Sequence, residues 1–160
     1  MNAEQIFKFM QKHNDHIHGH FIGVFAQNQI PSSDQFYRYP SFFISNTDTA
    51  NGSGKHWVVF YFISPSHLEF FDSFGHVYSD YGFKTLPDLF PNLHEILSVN
   101  RRIQSYNSCV CGHYCLYFLV YRMHNYSLEQ ILRSFSFHDT AWNDIQVFRF
   151  IKLLIKNESG

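Results

Sequence analysis

Gln104 to Tyr121 read QSYNSCVCGHYCLYFLVY. Three cysteines, Cys109, Cys111 and Cys115, fall within seven residues, and the chain has no others. Asn107 and Ser108, residue types that cap helices, precede an apolar run that has no polar face. The pattern predicts a helix from near Cys109 to about His124, buried in the protein rather than lying on it. A thiol is a good nucleophile only as thiolate. The unpaired N–H groups of a first helical turn stabilise an anion there. Cys111 is therefore the best placed of the three. Gly112 after it lets a backbone or a substrate approach closely. Cys115, one turn further in, reads as core, and Cys109, at or before the helix start, is the weaker nucleophile candidate. An odd, clustered set of cysteines is not a disulfide framework. It points to a reducing compartment and to a reactive thiol or a metal site.

A catalytic thiol needs a base, and the base needs an orienting group. His56 to Ile63 (HWVVFYFI) is apolar on both faces, with Val58, Phe60 and Phe62 one way and Trp57, Val59, Tyr61 and Ile63 the other. That is a central strand covered on both sides. Ser64-Pro65-Ser66 reads as a turn, and His67–Asp72 as the strand returning antiparallel. His56 follows the loop-like stretch Asn46 to Lys55 (NTDTANGSGK), where a side chain can face a cleft. A hairpin loop of three or five residues puts His56 and Asp72 on one face, as diagonal neighbours about 7–8 Å apart at the backbone. A four-residue loop would place Asp72 beside Trp57 instead. An acyl-transfer site also needs donors for its oxyanion. The Cys111 backbone N–H is one, and the side-chain amide of Gln104 offers a second.

The remainder bounds the answer. The chain has 160 residues and a net charge of -1, which suits one domain over residues 1–160. Aromatic residues are 19% and charged residues 16% of the chain, against about 25% charged in an average soluble domain. Such a chain collapses rather than staying disordered. No apolar run approaches the roughly 20 residues of a membrane-crossing helix, so no membrane partner is expected. The start, MNAEQIFKFMQKHN, lacks a signal-peptide core, so secretion is not expected. Near-neutral charge gives no electrostatic footprint for nucleic acid. Ala3–Lys12, Ser127–Phe135 and Ala141–Asn157 read as helices, and Phe21–Ala26, Ser41–Ser45 and Asn100–Ser105 as strands. Ser73–Pro91 reads as mixed loop and short structure. The class is α+β.

The string Gln104-x-x-Asn107-Ser108-x-x-Cys111-Gly112-x-x-Cys115 follows His56-Trp57 and Phe71-Asp72-Ser73-Phe74-Gly75. Together with Phe21-x-Gly23-Val24-Phe25, Pro31 and the Ser41–Thr47 stretch, it resembles the adenovirus-type cysteine endopeptidases (adenain), relatives of the SUMO-specific Ulp-type proteases. The resemblance runs from about Phe21 to His124 and leaves the C-terminal 36 residues unmatched. It implies a papain-like fold of circularly permuted order, a central mixed sheet with a buried nucleophile helix and flanking helices. It assigns His56 as general base, Asp72 as its orienter, Gln104 as oxyanion donor and Cys111 as nucleophile. Trp57, after the base, would line a narrow channel admitting glycine before the scissile bond, with Gly112 alongside in substrate binding. No cofactor or metal is implied. Double-jelly-roll viruses, virophages and polinton-type transposons carry such enzymes to mature capsid proteins, so viral capsid precursors are the implied partners and substrates. The implied location is a reducing compartment of an infected cell (viral factory or nucleus) and the virion. The implied state is a monomer.

Two departures stand out. The acid is Asp72 where adenovirus enzymes usually carry Glu, and Asp is usual in the SUMO-protease branch. No cysteine lies upstream of residue 109, so an activating peptide tethered by a disulfide is not expected, nor is activation by DNA.

Taken singly, each residue has a plainer role: His56 as a satisfied histidine, Asp72 as a turn residue, Gln104 as a surface amide, Cys111 as a small core residue, Trp57 as core. Only the joint pattern reverses these. The same site would also serve a SUMO- or ubiquitin-like deconjugating isopeptidase, or an inactive relative that binds such a partner. A different class is a zinc-binding module using Cys109, Cys111, His113 and Cys115. Their spacing differs from the C-x₂₋₄-C pairs of structural zinc sites. The His13/His16/His18/His20 cluster is a further metal candidate, read more simply as a solvated connection.

Overall fold

The structure, a computed structural model, describes residues 1–13 and 18–157. Five strands form one mixed sheet in the order β1-β2-β3-β4-β5. They are β1 (His20–Phe25), β2 (Ser41–Asn46), β3 (Trp57–Ser64), β4 (His67–Phe71) and β5 (Glu95–Ser98). The inner pairs β2/β3 and β3/β4 are antiparallel, and the edge pairs β1/β2 and β4/β5 are parallel. The helices are α1 (Ala3–His13), α2 (Leu86–Leu89), α3 (Cys111–Met123), α4 (Leu128–Arg133) and α5 (Thr140–Asn157).

The alternation expected of β3 holds. Val59 and Tyr61 pack with α1, α3, α4 and α5 on one face of the sheet. Val58, Phe60 and Phe62 pack on the other, beneath Phe36, Phe83, Leu86 and Phe90 from the long connections. Ile63 is the exception. Ser64 pairs with His67, the register shifts after Phe62, and Ile63 is left 42% exposed. This is a bulge beside the turn.

α3 is buried along most of its length because its sequence is apolar all round. Phe118 stacks on Phe71 at 4.5 Å between ring centroids and meets Tyr61 edge-on at 6.0 Å. Arg122, near its C-terminal end, forms a two-pronged ion pair with Glu69 of β4, at 2.8 and 3.2 Å. α4 starts with a capping box, in which the Ser127 hydroxyl accepts from Gln130 N–H and the Gln130 side chain from Ser127 N–H.

Three boundaries differ from the sequence expectation. α3 begins at Cys111, capped by Val110 without a side-chain hydrogen bond, not near Cys109. Asn107 and Ser108 do not cap it, because Ser108 is engaged elsewhere: its hydroxyl donates to the Ser105 carbonyl. Asn100–Ser105 is not a strand. The N–H groups of Ile103 and Gln104 both reach the Ser73 carbonyl, at 2.9 and 3.1 Å, so this segment packs on a turn rather than on a strand edge. The fifth strand lies just before it, at Glu95–Ser98.

Candidate active site

The β3/β4 ladder pairs Phe60 with Phe70 and Val59 with Phe71. One step further, the same register sets Asp72 opposite Val58 and makes it the diagonal neighbour of His56. This is the register of the three-residue loop, reached through a bulge. The imidazole and the carboxylate close the gap: His56 Nε2 lies 2.5 Å from Asp72 Oδ1, and both side chains are buried.

Asp72 is held from every side. Oδ1 also accepts the Phe74 N–H at 3.0 Å, and Oδ2 accepts the His76 N–H at 2.9 Å and the Tyr81 hydroxyl at 2.7 Å. Burial alone would raise its pKa, but the His56 hydrogen bond and charge, the Phe74 N–H and Tyr81 hold it below the ordinary carboxylate value. For His56, burial disfavours the charged ring. The hydrogen bonds and charges of Asp72 and Cys111 outweigh that and push its pKa up to about 9. Phe74 stacks on the imidazole at 4.5 Å and closes one side.

Cys111 is the first residue of α3. Its thiol shares the cleft wall with His56, and the imidazole together with the N–H groups of Trp57 and Gly112 favours its charged form. Burial raises the thiol's pKa, but these partners bring it below the ordinary value. With Nε2 committed to Asp72, the Nδ1 side of the ring is left for the sulfur. Cys115 is buried in the core, and burial pushes its thiol up well above the ordinary value. Cys109 is exposed.

Gln104 is almost completely buried. Its Nε2 donates to the Ser108 carbonyl and hydroxyl oxygens, both at 3.0 Å, and its Oε1 accepts from the Ser73 hydroxyl at 2.6 Å. The segment around it is pinned by the C-terminal helix, which the sequence left unmatched. Asn143 Nδ2 donates to the Ile103 carbonyl at 2.9 Å, and Asp144 accepts the Tyr114 hydroxyl at 2.8 Å.

His56, Gln104 and Cys111 share the wall of one cleft of about 390 Å³, with Trp57, Tyr106 and Cys109 also on it. Asp72 lies behind His56. Trp57 donates its indole N–H to the Met1 carbonyl at 3.1 Å. Gly112 is placed differently from the other site residues. It is buried, and an added Cβ would stand 3.2 Å from the Met1 side chain, 3.4 Å from Ile6 and 3.5 Å from Trp57. A larger cavity of about 740 Å³ between α1, His113 and Ile155 contains none of the four residues assigned to catalysis.

Sequence reasoning missed Tyr81 and Ser73. Tyr81 carried no motif, and only the folding of the 78–81 turn beside Asp72 brings it in. Ser73 stood in the quoted Asp72–Gly75 string without a role. Among the described residues, no three His, Cys, Asp or Glu side chains converge so as to hold a metal. His113 packs on Phe148 of α5 at 5.2 Å between rings. Of the proposed histidine cluster, His16 lies outside the described residues. No described helix is long and apolar enough to cross a membrane.

No known family model matches the chain, and no curated protein matches it by sequence. Its structure is similar to the crystal structure of the ASFV pS273R protease, with a TM-score of 0.52 and 17% identity over 86% of this chain. The chain spans 62% of the length of that protein. The likeness is one of fold: a mixed sheet with packed helices.

Proposed function

We propose that this chain is a cysteine endopeptidase. One observation carries the reading: Cys111, at the start of α3, shares a cleft wall with His56, whose ring is hydrogen-bonded to the buried Asp72, with the thiol's pKa lowered and the imidazole's raised. That combination favours a thiolate–imidazolium pair, which a structural cysteine has no use for. The fold it shares with a protease supports the reading.

In the proposed reaction the Cys111 thiolate adds to a peptide carbonyl carbon. The oxyanion is met by the Cys111 N–H and the Gln104 amide. The C–N bond breaks as His56 gives its proton to the leaving amine, and a thioester remains. Water then attacks the thioester, passing one proton to His56. The C–S bond breaks, releasing the acid and restoring the thiolate and imidazolium. Asp72 holds the ring throughout and does not need to change its protonation.

Trp57 on the cleft wall supports small residues, Gly-Gly or Gly-x, before the scissile bond. Viral capsid precursors as substrates, and work in a reducing compartment of an infected cell, rest on the sequence resemblance. The chain is proposed to act as a monomer without metal, cofactor, nucleic acid or disulfide-tethered peptide.

The test is hydrolysis of fluorogenic peptides ending in Leu-x-Gly-Gly under reducing conditions. Wild type should cleave, Cys111→Ala should be inert, and Gln104→Ala should lose about 10²–10³ in kcat. Full activity in Cys111→Ala would refute the assignment.

A further inference from the structure

We infer that Ser73 is the positioning residue for the oxyanion amide, its hydroxyl holding Gln104 with Nε2 towards the nucleophile side of the cleft. The inference rests on the peptidase reading above.

The hydrogen bonds around Gln104 admit one orientation of its amide. On one side stands Ser108. Its carbonyl can only accept, and its hydroxyl hydrogen is already given to the Ser105 carbonyl at 3.2 Å. Both Ser108 oxygens therefore take hydrogens from Nε2, so in the resting site both amide hydrogens are committed and one must turn from the Ser108 hydroxyl to meet an oxyanion. On the other side the Ser73 hydroxyl, 2.6 Å from Oε1, must donate, because an amide oxygen has no hydrogen. Turning the amide over would set its oxygen against the Ser108 carbonyl, which cannot donate, and it is this contact that fixes the orientation in which the Ser73 hydroxyl donates to Oε1. Gln104 and Ser108 line the cleft and Ser73 does not, so the polarity runs outward, from hydroxyl to amide oxygen to N–H groups at the site.

The backbone holds Ser73 independently of its side chain. Its carbonyl accepts from Ile103 N–H and Gln104 N–H. Removing the hydroxyl leaves those bonds in place. What is lost is the one donor shown at Oε1, at a side chain with almost no exposure to water. The neighbour Asp72 orients the base in the same turn. Two consecutive residues thus hold, one the imidazole and the other the amide, on the wall of the same cleft.

The test compares wild type, Ser73→Ala, Ser73→Thr, Gln104→Ala and the Ser73→Ala/Gln104→Ala pair. Three readouts are used: peptide hydrolysis, affinity for a peptide aldehyde ending in glycine, and alkylation of Cys111 by iodoacetamide across pH. The aldehyde forms an oxyanion on the enzyme, and iodoacetamide does not. Ser73→Ala should lower kcat about tenfold, less than loss of the whole donor. KM and the alkylation profile should not move. The aldehyde should weaken in parallel with kcat. In the Gln104→Ala background, Ser73→Ala should cost nothing further. Ser73→Thr, which keeps the hydroxyl, should stay near wild type.

Full activity in Ser73→Ala, equal losses in Ser73→Thr and Ser73→Ala, or an undiminished loss in the Gln104→Ala background would each overturn the inference. A wild type that is alkylated and binds aldehyde but cleaves no peptide would refute the peptidase reading. The aldehyde affinities of Ser73→Ala and wild type would then still decide the role of Ser73, equal affinities refuting it.

Discussion

Asp72 stands diagonally across the β3/β4 ladder from His56, its Oδ1 2.5 Å from the ring's Nε2. The two residues flank paired strands whose register is set by Phe60, Phe70 and Phe71 in the core, and the turn after Asp72 adds its own hydrogen bonds to the carboxylate. The imidazole and the carboxylate are therefore held to the precision of the sheet, which favours a preorganised pair.

The pair sets the pH response. The Cys111 pKa is lowered and the His56 pKa is raised to about 9, so thiolate and imidazolium coexist between the two. Iodoacetamide should react with Cys111 at pH values below the ordinary thiol range. Peptide hydrolysis should fall again as pH rises through about 9, where His56 loses the proton it gives to the leaving amine. His56→Ala should move the alkylation inflection upward. A wild-type inflection at the ordinary thiol value would contradict the pairing.

Tyr81→Phe removes one donor from Asp72 Oδ2 and leaves the ring in place. Asp72 then protonates more readily, so the acid limb of the hydrolysis profile should move to higher pH. A lost hydrogen bond to a charged group costs about 1.5–3 kcal/mol, readable in chemical denaturation. A superimposable pH profile would assign Tyr81 to packing alone.

Gly75→Ala should damage fold and activity together. Gly75 has φ 78°, and an added Cβ would lie 2.4 Å from the Arg101 carbonyl carbon. The turn that carries Asp72 and Ser73 would have to leave the 101–104 segment. The left-handed conformation alone disfavours Ala by about 1–2 kcal/mol, and the backbone overlap adds to this. Wild-type stability with normal kcat would show that the turn can shift freely.

Arg122→Met should destabilise by about 3–5 kcal/mol, because it leaves the buried Glu69 carboxylate without its partner. Glu69→Leu with Arg122→Met should recover much of that loss. Arg122 also lies over the Tyr61 ring, at 4.5 Å, so part of the single-variant cost is lost packing. Urea unfolding of the three variants checks the order.

The sequence by itself determined the alternating faces of β3 and the burial of α3, and it singled out His56, Asp72, Gln104 and Cys111 as site candidates, because the first two depend on periodicity and the last on residue type and spacing. It also limited the hairpin to registers that set His56 and Asp72 together or apart. Only the tertiary structure chose between them, since a bulge at Ile63 alters the turn without altering the ladder. It likewise decided the first turn of α3. Ser108 is drawn into bonds with Gln104 and Ser105, which local preference cannot foresee, and the helix starts at Cys111 itself. Tyr81, Ser73 and Asn143 act through partners 9, 31 and 40 residues away. Their roles depend on long-range packing, and a side chain's hydrogen-bond partner at that separation leaves no trace in the sequence around it.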